Sequence, residues 1–511
     1  MKCAIRGKNI ILLFLCLLIL YQPVYRVYAS NTTRQLDYSM IDNYIMTEMN
    51  EGMIQGLAIG IVKGNEVVYL KGYGTAGDKK AVNIKTPFGI GSVAKTFTAL
   101  AIRQLINEGK LDEQSQVNDF IQDFRPTYQG RPVNLTIYQL LTHRSGFSTR
   151  QGGAPYLYNS NYSIKEIVEK SRNIELSGPV GSSYEYSNLN YIILGRIIEI
   201  ASGLSYESYI NMNIFDKLEM HHSYTNEDKA VENGLSQGYT ILYGLPITTH
   251  YTFPKGSAPT GFIFCSIEDM THYMICYLNK GYYNGNSVIS DNSFIMPKNP
   301  MENSFLSDWY DELWLENNGY PKGYLNLNSY GYNGATPNFT SSFLVNQESR
   351  YAVVVMDNTF DQVNFFNRDI DSSTICKGIM EYIELGNLPE NDIVAGNYDR
   401  LVWVILILLI LLIYSFISIR SVFRAKTKKL LRRHHSIYYF IEVILPLLAF
   451  ITIPLYHDIN WSWLLASNPE INHIIIGAVF WLILLSCIKI CISLVKNYDK
   501  KPYKGRKSKI S

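Results

Sequence analysis

The chain carries almost no net charge. Its 511 residues include 46 Lys and Arg and 44 Asp and Glu, which gives a formal net charge of +2. Proteins that bind nucleic acid usually present a strongly basic face, whereas the basic residues here are concentrated near the C-terminus. The composition therefore predicts no nucleic acid partner.

Cysteine is too sparse to form a disulfide framework. Of seven cysteines, two lie in the N-terminal apolar segment and two in a C-terminal apolar run. Only Cys265, Cys276 and Cys376 remain for the middle of the chain, and small disulfide-stabilised domains carry even, closely spaced sets. We expect the cysteines to be unbridged, buried residues.

Several motifs of cofactor chemistry are missing. The sequence has no H-E-x-x-H, no Cys/His cluster with metal spacing and no G-x-S-x-G turn. The stretch Gly72–Gly77 matches G-x-G-x-x-G, but no helical pattern follows it and Pro87 intervenes before the first helix. We therefore expect neither a metal nor an organic cofactor.

The first 29 residues have the pattern of a signal peptide. Three basic residues precede the apolar run Ile10–Leu20, and Val27-Tyr28-Ala29 has the small-residue pattern of a cleavage site. An uncleaved anchor is the alternative, although the run is shorter than the roughly 20 residues that a spanning helix needs. In both cases the following domain, residues 30–400, is predicted to be exported.

Three long apolar runs follow the exported part. Residues 401–419, 437–456 and 473–495 each approach the length that crosses a bilayer. The first connection and the tail, residues 496–511, are rich in Lys and Arg, and the second connection has none. Because positive charge stays in the cytoplasm, this pattern predicts a multi-pass protein with a cytoplasmic C-terminus and residues 30–400 outside. The bundle either anchors the protein in the lipid bilayer or also contacts a transporter or a second copy.

The exported part has strands at both ends and helices between them. The alternation of apolar residues and the turn signals predict an α+β domain whose sheet joins the two ends of the domain. The predicted strands are Leu57–Val62, Val67–Tyr73, Ser341–Val345 and Tyr351–Met356, and the predicted helices are Ser92–Glu108 and Leu189–Ala201.

An S-x-x-K motif opens the first predicted helix. Ser92 and Lys95 are three residues apart, so their side chains lie on the same face of a helix. Burial and the positive end of the helix both disfavour an ammonium at Lys95, which allows a neutral amine to take the proton of Ser92. Ser92 is therefore the candidate nucleophile.

A second motif, Tyr186-Ser187-Asn188, precedes the second predicted helix. Together with S-x-x-K and Leu140-Leu141-Thr142-His143-Arg144-Ser145-Gly146, it resembles the motifs of penicillin-binding proteins and class C β-lactamases, which are serine hydrolases with an α+β fold. The resemblance implies that Tyr186 is a general base and acid paired with Lys95, and that Asn188 binds the substrate amide. We expect His143 to be a structural hydrogen-bonding residue.

The third motif of that family is matched only in part. Tyr332-Asn333-Gly334 stands where the family has Lys or His followed by x-Gly. The resemblance implies that Gly334 lets the substrate approach and that the N–H groups of Ala335 and Ser92 form an oxyanion hole. Tyr332, the substrate-binding position of this motif, supplies no positive charge for a substrate carboxylate.

The combination of an exported domain of this kind with three membrane helices is similar to membrane-anchored, prodrug-activating D-asparagine peptidases of the colibactin-maturation type. This resemblance implies a peptide-like substrate with a D-amino acid, cleaved as an amide. A cell-wall D,D-peptidase, a D-alanyl esterase of teichoic acids and a β-lactamase remain alternatives. A non-enzymatic sensor of wall or antibiotic ligands is a further alternative.

Overall fold

The computed structural model describes residues 36–159, 161–249, 251–289, 329–361, 370–389, 398–424, 440–444, 446–448, 452 and 469–498. The chain divides into two compact units, Met1–Tyr38 and Ser39–Ser511. The elements below lie in the second unit, except that the first helix begins at Tyr38. The predicted signal peptide lies outside the described residues, and the predicted domain boundaries stay a prediction.

Strands and helices alternate in blocks along the second unit. The strands are β1 (Gly56–Lys63), β2 (Glu66–Gly77), β3 (Lys80–Ala81), β4 (Phe88–Gly89), β5 (Thr127–Tyr128), β6 (Arg131–Pro132), β7 (Gly238–Leu242), β8 (Leu245–Thr249), β9 (Phe264–Cys265), β10 (Tyr282–Tyr283), β11 (Asn286–Ser287), β12 (Ser329–Thr336), β13 (Phe339–Asn346), β14 (Tyr351–Asp357) and β15 (Thr359–Phe360). The α-helices are α1 (Tyr38–Glu51), α2 (Ala94–Asn107), α3 (Val117–Phe120), α4 (Ile137–Leu141), α5 (Thr149–Gly152), α6 (Ile164–Ser171), α7 (Asn188–Ser202), α8 (Tyr206–Ile210), α9 (Glu227–Glu232), α10 (Ala258–Gly261), α11 (Ile267–Leu278), α12 (Ser372–Leu385), α13 (Tyr398–Arg424) and α14 (Pro469–Tyr498). Short 3-10 turns cover Gly91–Val93, Pro155–Tyr158, Asp216–Leu218 and Lys255–Ser257, and π-helical segments cover Asn211–Phe215 and Phe440–Ile444.

A six-stranded sheet joins the two ends of the part that is predicted to be exported. Its order is β12-β13-β14-β1-β2-β3, and all of its pairings are antiparallel. In the centre, Ile59 of β1 lies between Val355 of β14 and Lys71 of β2. Strand β1 is buried along almost its whole length, because α11 packs against it and neighbouring β14 also contacts α12. The mixed α+β fold expected from the sequence is confirmed.

The helical part surrounds α2, which is buried along most of its length. Helices α7 and α10 pack against it. The ring of Phe97 stacks on Tyr273 with 4.1 Å between centroids, and the Thr98 hydroxyl donates to the carbonyl oxygen of Pro259 at 2.7 Å. These contacts fix α2 in position, and with it the residues that precede it.

The sequence-based helices and strands match the structure closely. The helix predicted from Ser92 is a 3-10 turn over Gly91–Val93 followed by α2, and the second predicted helix corresponds to α7. The Gly72–Gly77 stretch lies within β2, so it does not open a helix. Cys265, Cys276 and Cys376 are free and buried as expected. The expectation of burial is wrong for Cys487 and Cys491, which are also free but lie at exposed positions of α14.

The C-terminal region contains two helices that are long and apolar enough to cross a membrane. These segments are Ile405–Phe423 in α13 and His473–Ile492 in α14. Of the predicted second span, 437–456, only residues 440–444, 446–448 and 452 are described. The structure therefore supports two of the three predicted spans, and the third stays a prediction.

Candidate active site

Ser92 lies in the 3-10 turn Gly91–Val93 between β4 and α2. Gly91 has a φ of +51°, in the left-handed region that favours glycine. A Cβ atom at this position would also collide with the backbone of Gly334 and Ala335 in β12. A glycine is thus needed both for the turn and for the close approach of strand β12 to the nucleophile.

Lys95 begins the first turn of α2, and its side chain is only 1% exposed. Its Nζ atom lies 3.1 Å from Ser92 Oγ and donates a hydrogen bond to the carbonyl oxygen of Thr260. The amine also lies over the ring of Tyr186, 4.9 Å from the centroid. Burial lowers the pKa of Lys95 well below its usual value. A neutral amine beside a serine hydroxyl is therefore favoured.

Tyr186 contacts the same serine from a distant segment of the chain, just before α7. Its hydroxyl lies 2.7 Å from Ser92 Oγ. The residue stands two positions before α7, where extended Ser187 is the N-cap, so the start of this helix determines where the phenol points. The structure thus brings together the three predicted catalytic residues, although Tyr186 is more than ninety positions from Ser92 in the chain.

His143 supports the tyrosine, as the sequence analysis expected of a structural hydrogen-bonding residue. Its ring stacks on Tyr186 with 4.8 Å between centroids, and its Nδ1 atom accepts a hydrogen bond from the backbone N–H of Ser187 at 3.0 Å. Burial, and next the charge of Lys95, lower the pKa of His143 well below its usual value. The imidazole is therefore neutral, and its proton lies on Nε2.

Asn190 was not singled out in the sequence. Its Nδ2 atom lies 3.0 Å from His143 Nδ1, and its Oδ1 atom accepts a hydrogen bond from the Ser145 hydroxyl at 2.6 Å. All three residues are buried. Side-chain hydrogen bonds thus connect the segment His143–Ser145 to the start of α7. The signal that could have identified Asn190 was its position close to the Tyr186-Ser187-Asn188 motif.

Strand β12 forms the third wall. A Cβ atom added to Gly334 would lie 2.8 Å from the Ser92 nitrogen and 2.9 Å from Ser341 Oγ, so the strand backbone lies directly against the nucleophile turn. Ala335, the next residue, is exposed. The side chain of Tyr332 is only 7% exposed and packs in the hydrophobic core. A direct contact of Tyr332 with substrate stays a prediction.

The predicted amide-binding residue, Asn188, is the first residue of α7 and is half-buried. A Cβ atom on Gly152 of α5 would lie 2.5 Å from the Asn188 nitrogen, so α5 and the start of α7 are tightly packed. Asn188 follows Tyr186 by two positions in the chain. The roles of Asn188, Gly334 and Ala335 in substrate binding stay predictions.

Potential metal ligands lie apart from these residues. In the part of the chain that the structure describes, one group of side chains has ligand atoms close enough for an ion, namely His222, Glu268 and Asp269. His222 Nδ1 lies 3.6 Å from Glu268 Oε2, an ordinary separation for a weak ion pair. None of the three belongs to the site around Ser92, whose hydroxyl, amine and phenol suit acyl transfer through a serine ester.

Comparison with known proteins points to one family. The family model described as Beta-lactamase matches residues 41–372. Protein flp of Staphylococcus aureus strain MRSA252 is 26% identical over 490 residues, which cover 90% of this chain and 92% of that protein. Beta-lactamase-like protein 2 of Dictyostelium discoideum is 28% identical over 288 residues, covering 53% of this chain and 52% of that protein.

Solved structures show the same fold. The octameric penicillin-binding protein homologue from Pyrococcus abyssi has a TM-score of 0.56 and 26% identity, covering 70% of this chain and 79% of its own. A class C beta-lactamase has a TM-score of 0.52 and 18% identity, covering 69% and 97% of the two chains. With the family model matching residues 41–372, this chain belongs to the Beta-lactamase family.

Proposed function

We propose that this protein is a membrane-anchored, extracytoplasmic serine hydrolase that forms an acyl-enzyme at Ser92. One observation carries the proposal: the Ser92 hydroxyl lies within hydrogen-bonding distance of both the buried amine of Lys95 and the phenol of Tyr186. A serine needs a base to become nucleophilic near neutral pH, and a desolvated amine with a lowered pKa meets that need.

In the acylation step, Ser92 Oγ attacks the carbonyl carbon of the substrate while its proton passes to the Lys95–Tyr186 pair. The carbonyl oxygen becomes an oxyanion. The backbone N–H groups of Ser92, in the 3-10 turn, and of Ala335, in the adjacent strand β12, stabilise it. Tyr186 then donates a proton to the leaving amine, and the carbon–nitrogen bond breaks. The product is an ester of Ser92 and a free amine.

In the deacylation step, water attacks the ester carbonyl and the Lys95–Tyr186 pair accepts its proton. The same oxyanion site is used again, and the bond to Ser92 Oγ breaks as the serine recovers its proton. A carboxylic acid leaves and the enzyme returns to its starting state. Because the amine and the phenol share the protons, their pKa values belong to the pair and not to either residue.

The location rests on the sequence and the apolar helices. The N-terminal segment has the pattern of a signal peptide, and α13 and α14 are long and apolar enough to cross a bilayer. Basic residues are concentrated in the connection after α13 and in the tail after α14, whereas residues 457–472 have none, which supports an exported catalytic domain and a cytoplasmic tail.

The substrate is proposed to be an N-acyl-D-aminoacyl amide, with D-asparagine preferred. The position of the third motif that usually carries Lys or His holds the buried, uncharged Tyr332. A free carboxylate beside the scissile bond ordinarily needs a cationic partner, and an amide to a larger amine has no carboxylate there. Penicillins and D-Ala-D-Ala peptides, which have one, are therefore expected to be poor substrates.

A labelling experiment tests the enzyme class. We expect a fluorophosphonate probe to label the wild-type protein in membranes and a Ser92→Ala variant to remain unlabelled. Ser182→Ala, at an exposed serine outside the site, is the matched control and should be labelled like the wild type. Folded wild-type protein that takes up no probe would instead favour a binding sensor.

A substrate panel tests the specificity. Matched D- and L-N-acyl-asparaginyl amides are compared with a D-Ala-D-Ala peptide, a D-alanyl ester and a cephalosporin, and product formation is measured for each. We expect the D-asparaginyl amide to be cleaved fastest and its L-isomer poorly. Faster turnover of the ester or the cephalosporin would contradict the proposed substrate while leaving the serine hydrolase class intact.

A further inference from the structure

Helices α13 and α14 reverse the usual distribution of polarity in a folded protein. Their exposed positions are large and apolar, whereas several buried positions are polar. The exposed apolar residues include Ile405, Leu406, Leu408, Leu409, Ile410, Leu412, Ile413, Phe416, Ile417, Phe423, Phe480, Leu484, Ile488 and Ile490, and the buried polar residues are Ser415, Ser418, Ser486 and Lys489. An outer surface of this kind fits the acyl chains of lipids and not water.

The polar interior of this region contains an ion pair. Lys489 of α14 donates hydrogen bonds to both carboxylate oxygens of Glu442, at 2.7 and 2.8 Å, and to Ser418 Oγ at 2.8 Å. The hydroxyls of Ser418 and Tyr414 on α13 donate to Glu442 Oε1 at 2.8 and 3.0 Å. Glu442 is fully buried and Lys489 is 2% exposed. Three separate segments of the chain therefore meet at one carboxylate.

A second contact links the same two helices. The indole nitrogen of Trp481 on α14 donates a hydrogen bond to Ser415 Oγ on α13 at 2.9 Å. Ser415 and Ser418 are three residues apart, so they lie on the same face of α13. One face of α13 thus carries these polar contacts, and most of its other exposed side chains are large and apolar.

The residues of the ion pair lie near the basic ends of the apolar runs. Ser418 is two residues before Arg420, and Lys489 is seven residues before Lys496. At a rise of about 1.5 Å per helical residue, these positions lie within roughly 10 Å of the nearest basic residue. Glu442 follows Arg433 by nine residues. All three positions are therefore close to the basic residues predicted to lie in the cytoplasm.

We propose that the Glu442–Lys489 pair is a membrane-embedded lock, placed in the cytoplasmic half of the bilayer, that fixes the π-helical segment Phe440–Ile444 and α14 against α13. Charges in an apolar medium are costly unless they are paired and fully hydrogen-bonded, and such residues in membrane helices usually have a specific role. A plain anchor needs one span and no internal charge. The lock does not depend on the hydrolase activity proposed for Ser92.

The test uses the full-length chain in membranes. Ser415→Cys and Trp481→Cys are introduced together, Cys487 and Cys491 are replaced by Ala, and a short bifunctional thiol reagent links the two new cysteines. Glu442→Lys and Lys489→Glu are added singly and together. Because contacting pairs show coupling in double-mutant cycles, we expect each single change to lower the cross-linked fraction by at least about threefold and the charge swap to recover much of it.

Two controls keep the outcome interpretable. Ile490→Ala, at an exposed neighbour of Lys489, should leave the cross-linked fraction unchanged. Fluorophosphonate labelling of Ser92 is measured in each variant to show that the exported domain is folded. Unfolding of that domain is then distinguishable from loss of the Glu442–Lys489 contact. Glu442→Gln, which keeps an acceptor oxygen but not the charge, should give an intermediate fraction. Single variants that cross-link like the wild type, or a charge swap no better than the worse single variant, would overturn the proposal.

Discussion

Lys95 is a lysine whose surroundings oppose its usual charge. The rings of Tyr186 and Tyr191 lie under the amine and favour a cation, with 4.9 and 5.8 Å to their centroids. Complete burial acts in the opposite direction and is the cause that lowers the pKa. The amine keeps two hydrogen-bond partners, Thr260 and Ser92, that it can use in either state. These contacts and the burial support the proposal that Lys95 serves as a base.

Replacing Lys95 by Arg separates charge from basicity. In the wild type, kcat/KM should rise with pH through the pKa of Lys95, which burial lowers, since only the neutral amine accepts the serine proton. A guanidinium never loses its proton in this range, so Lys95→Arg should lose roughly a thousandfold or more, about as much as Ser92→Ala. The measurement is kcat/KM against pH, with Lys79→Arg at an exposed position as the control. Near-normal turnover by Lys95→Arg would exclude Lys95 as the base.

The contacts of His143 with Tyr186 and Ser187 predict that it is a positioning residue, which acts through Tyr186. Replacing it by Phe keeps a ring against Tyr186 but leaves the N–H of Ser187 without its acceptor, a loss that costs about 1–3 kcal/mol. We expect His143→Phe to lower kcat about tenfold or more, with little change in KM and an unchanged pH profile, because the imidazole is neutral in the wild type. Loss of a limb of the pH profile would show instead that His143 exchanges protons.

At the scale of elements, the site depends on backbones that lie unusually close together. The turn Gly91–Val93 lies against Gly334 and Ala335 of β12, and the Ser341 hydroxyl of β13 donates to the carbonyl oxygen of Ile90 at 2.6 Å. Strands β12 and β13 of the sheet thus hold the Gly91–Val93 turn in place. The oxyanion site proposed for Ser92 and Ala335 requires this separation, since donors act only at hydrogen-bonding distance.

Gly91→Ala should therefore lower the stability of the protein and also abolish the reaction of Ser92 with the probe. The substitution adds a Cβ atom where φ is +51° and where the β12 backbone leaves no space, so the turn must move. Gly109→Ala is the matched control, because Gly109 has a φ of +69° but no atom within 4 Å of an added Cβ. We expect both variants to lose about 1 kcal/mol or more of unfolding free energy, and only Gly91→Ala to lose fluorophosphonate labelling. Equal labelling of the two would argue against a tight nucleophile turn.

Local signals explain what could be predicted from the sequence. Ser92, Lys95 and Tyr186 lie at helix starts, where short motifs fix which side chains share a face. Thr260 could not be found in this way, because it meets Lys95 only through a contact between residues 165 positions apart. Likewise, no pattern in the sequence indicates that Lys489 pairs with Glu442, since a single charge in an apolar run does not identify its partner.

At the scale of the whole molecule, the family domain and the C-terminal helices differ in where they place their apolar side chains. The family domain has a conventional apolar core, whereas α13 and α14 present large apolar side chains outward. The match to Protein flp covers 90% of this chain and so extends beyond residues 41–372 of the family domain. The similarity to Protein flp is therefore not confined to the family domain.

The orientation of these helices is the last prediction. Lys428 lies in the basic connection after α13, and Trp461 in the connection that lacks Lys and Arg. Because positive charge is retained in the cytoplasm, a single cysteine at 428 should react with a membrane-impermeant thiol reagent only after permeabilisation. A single cysteine at 461, or at exposed Lys79 in the catalytic domain, should react in intact cells. The native cysteines are replaced first, and labelling is measured before and after permeabilisation. Reaction at 428 in intact cells would invert the topology, and it would also place the Glu442–Lys489 pair in the outer half of the bilayer.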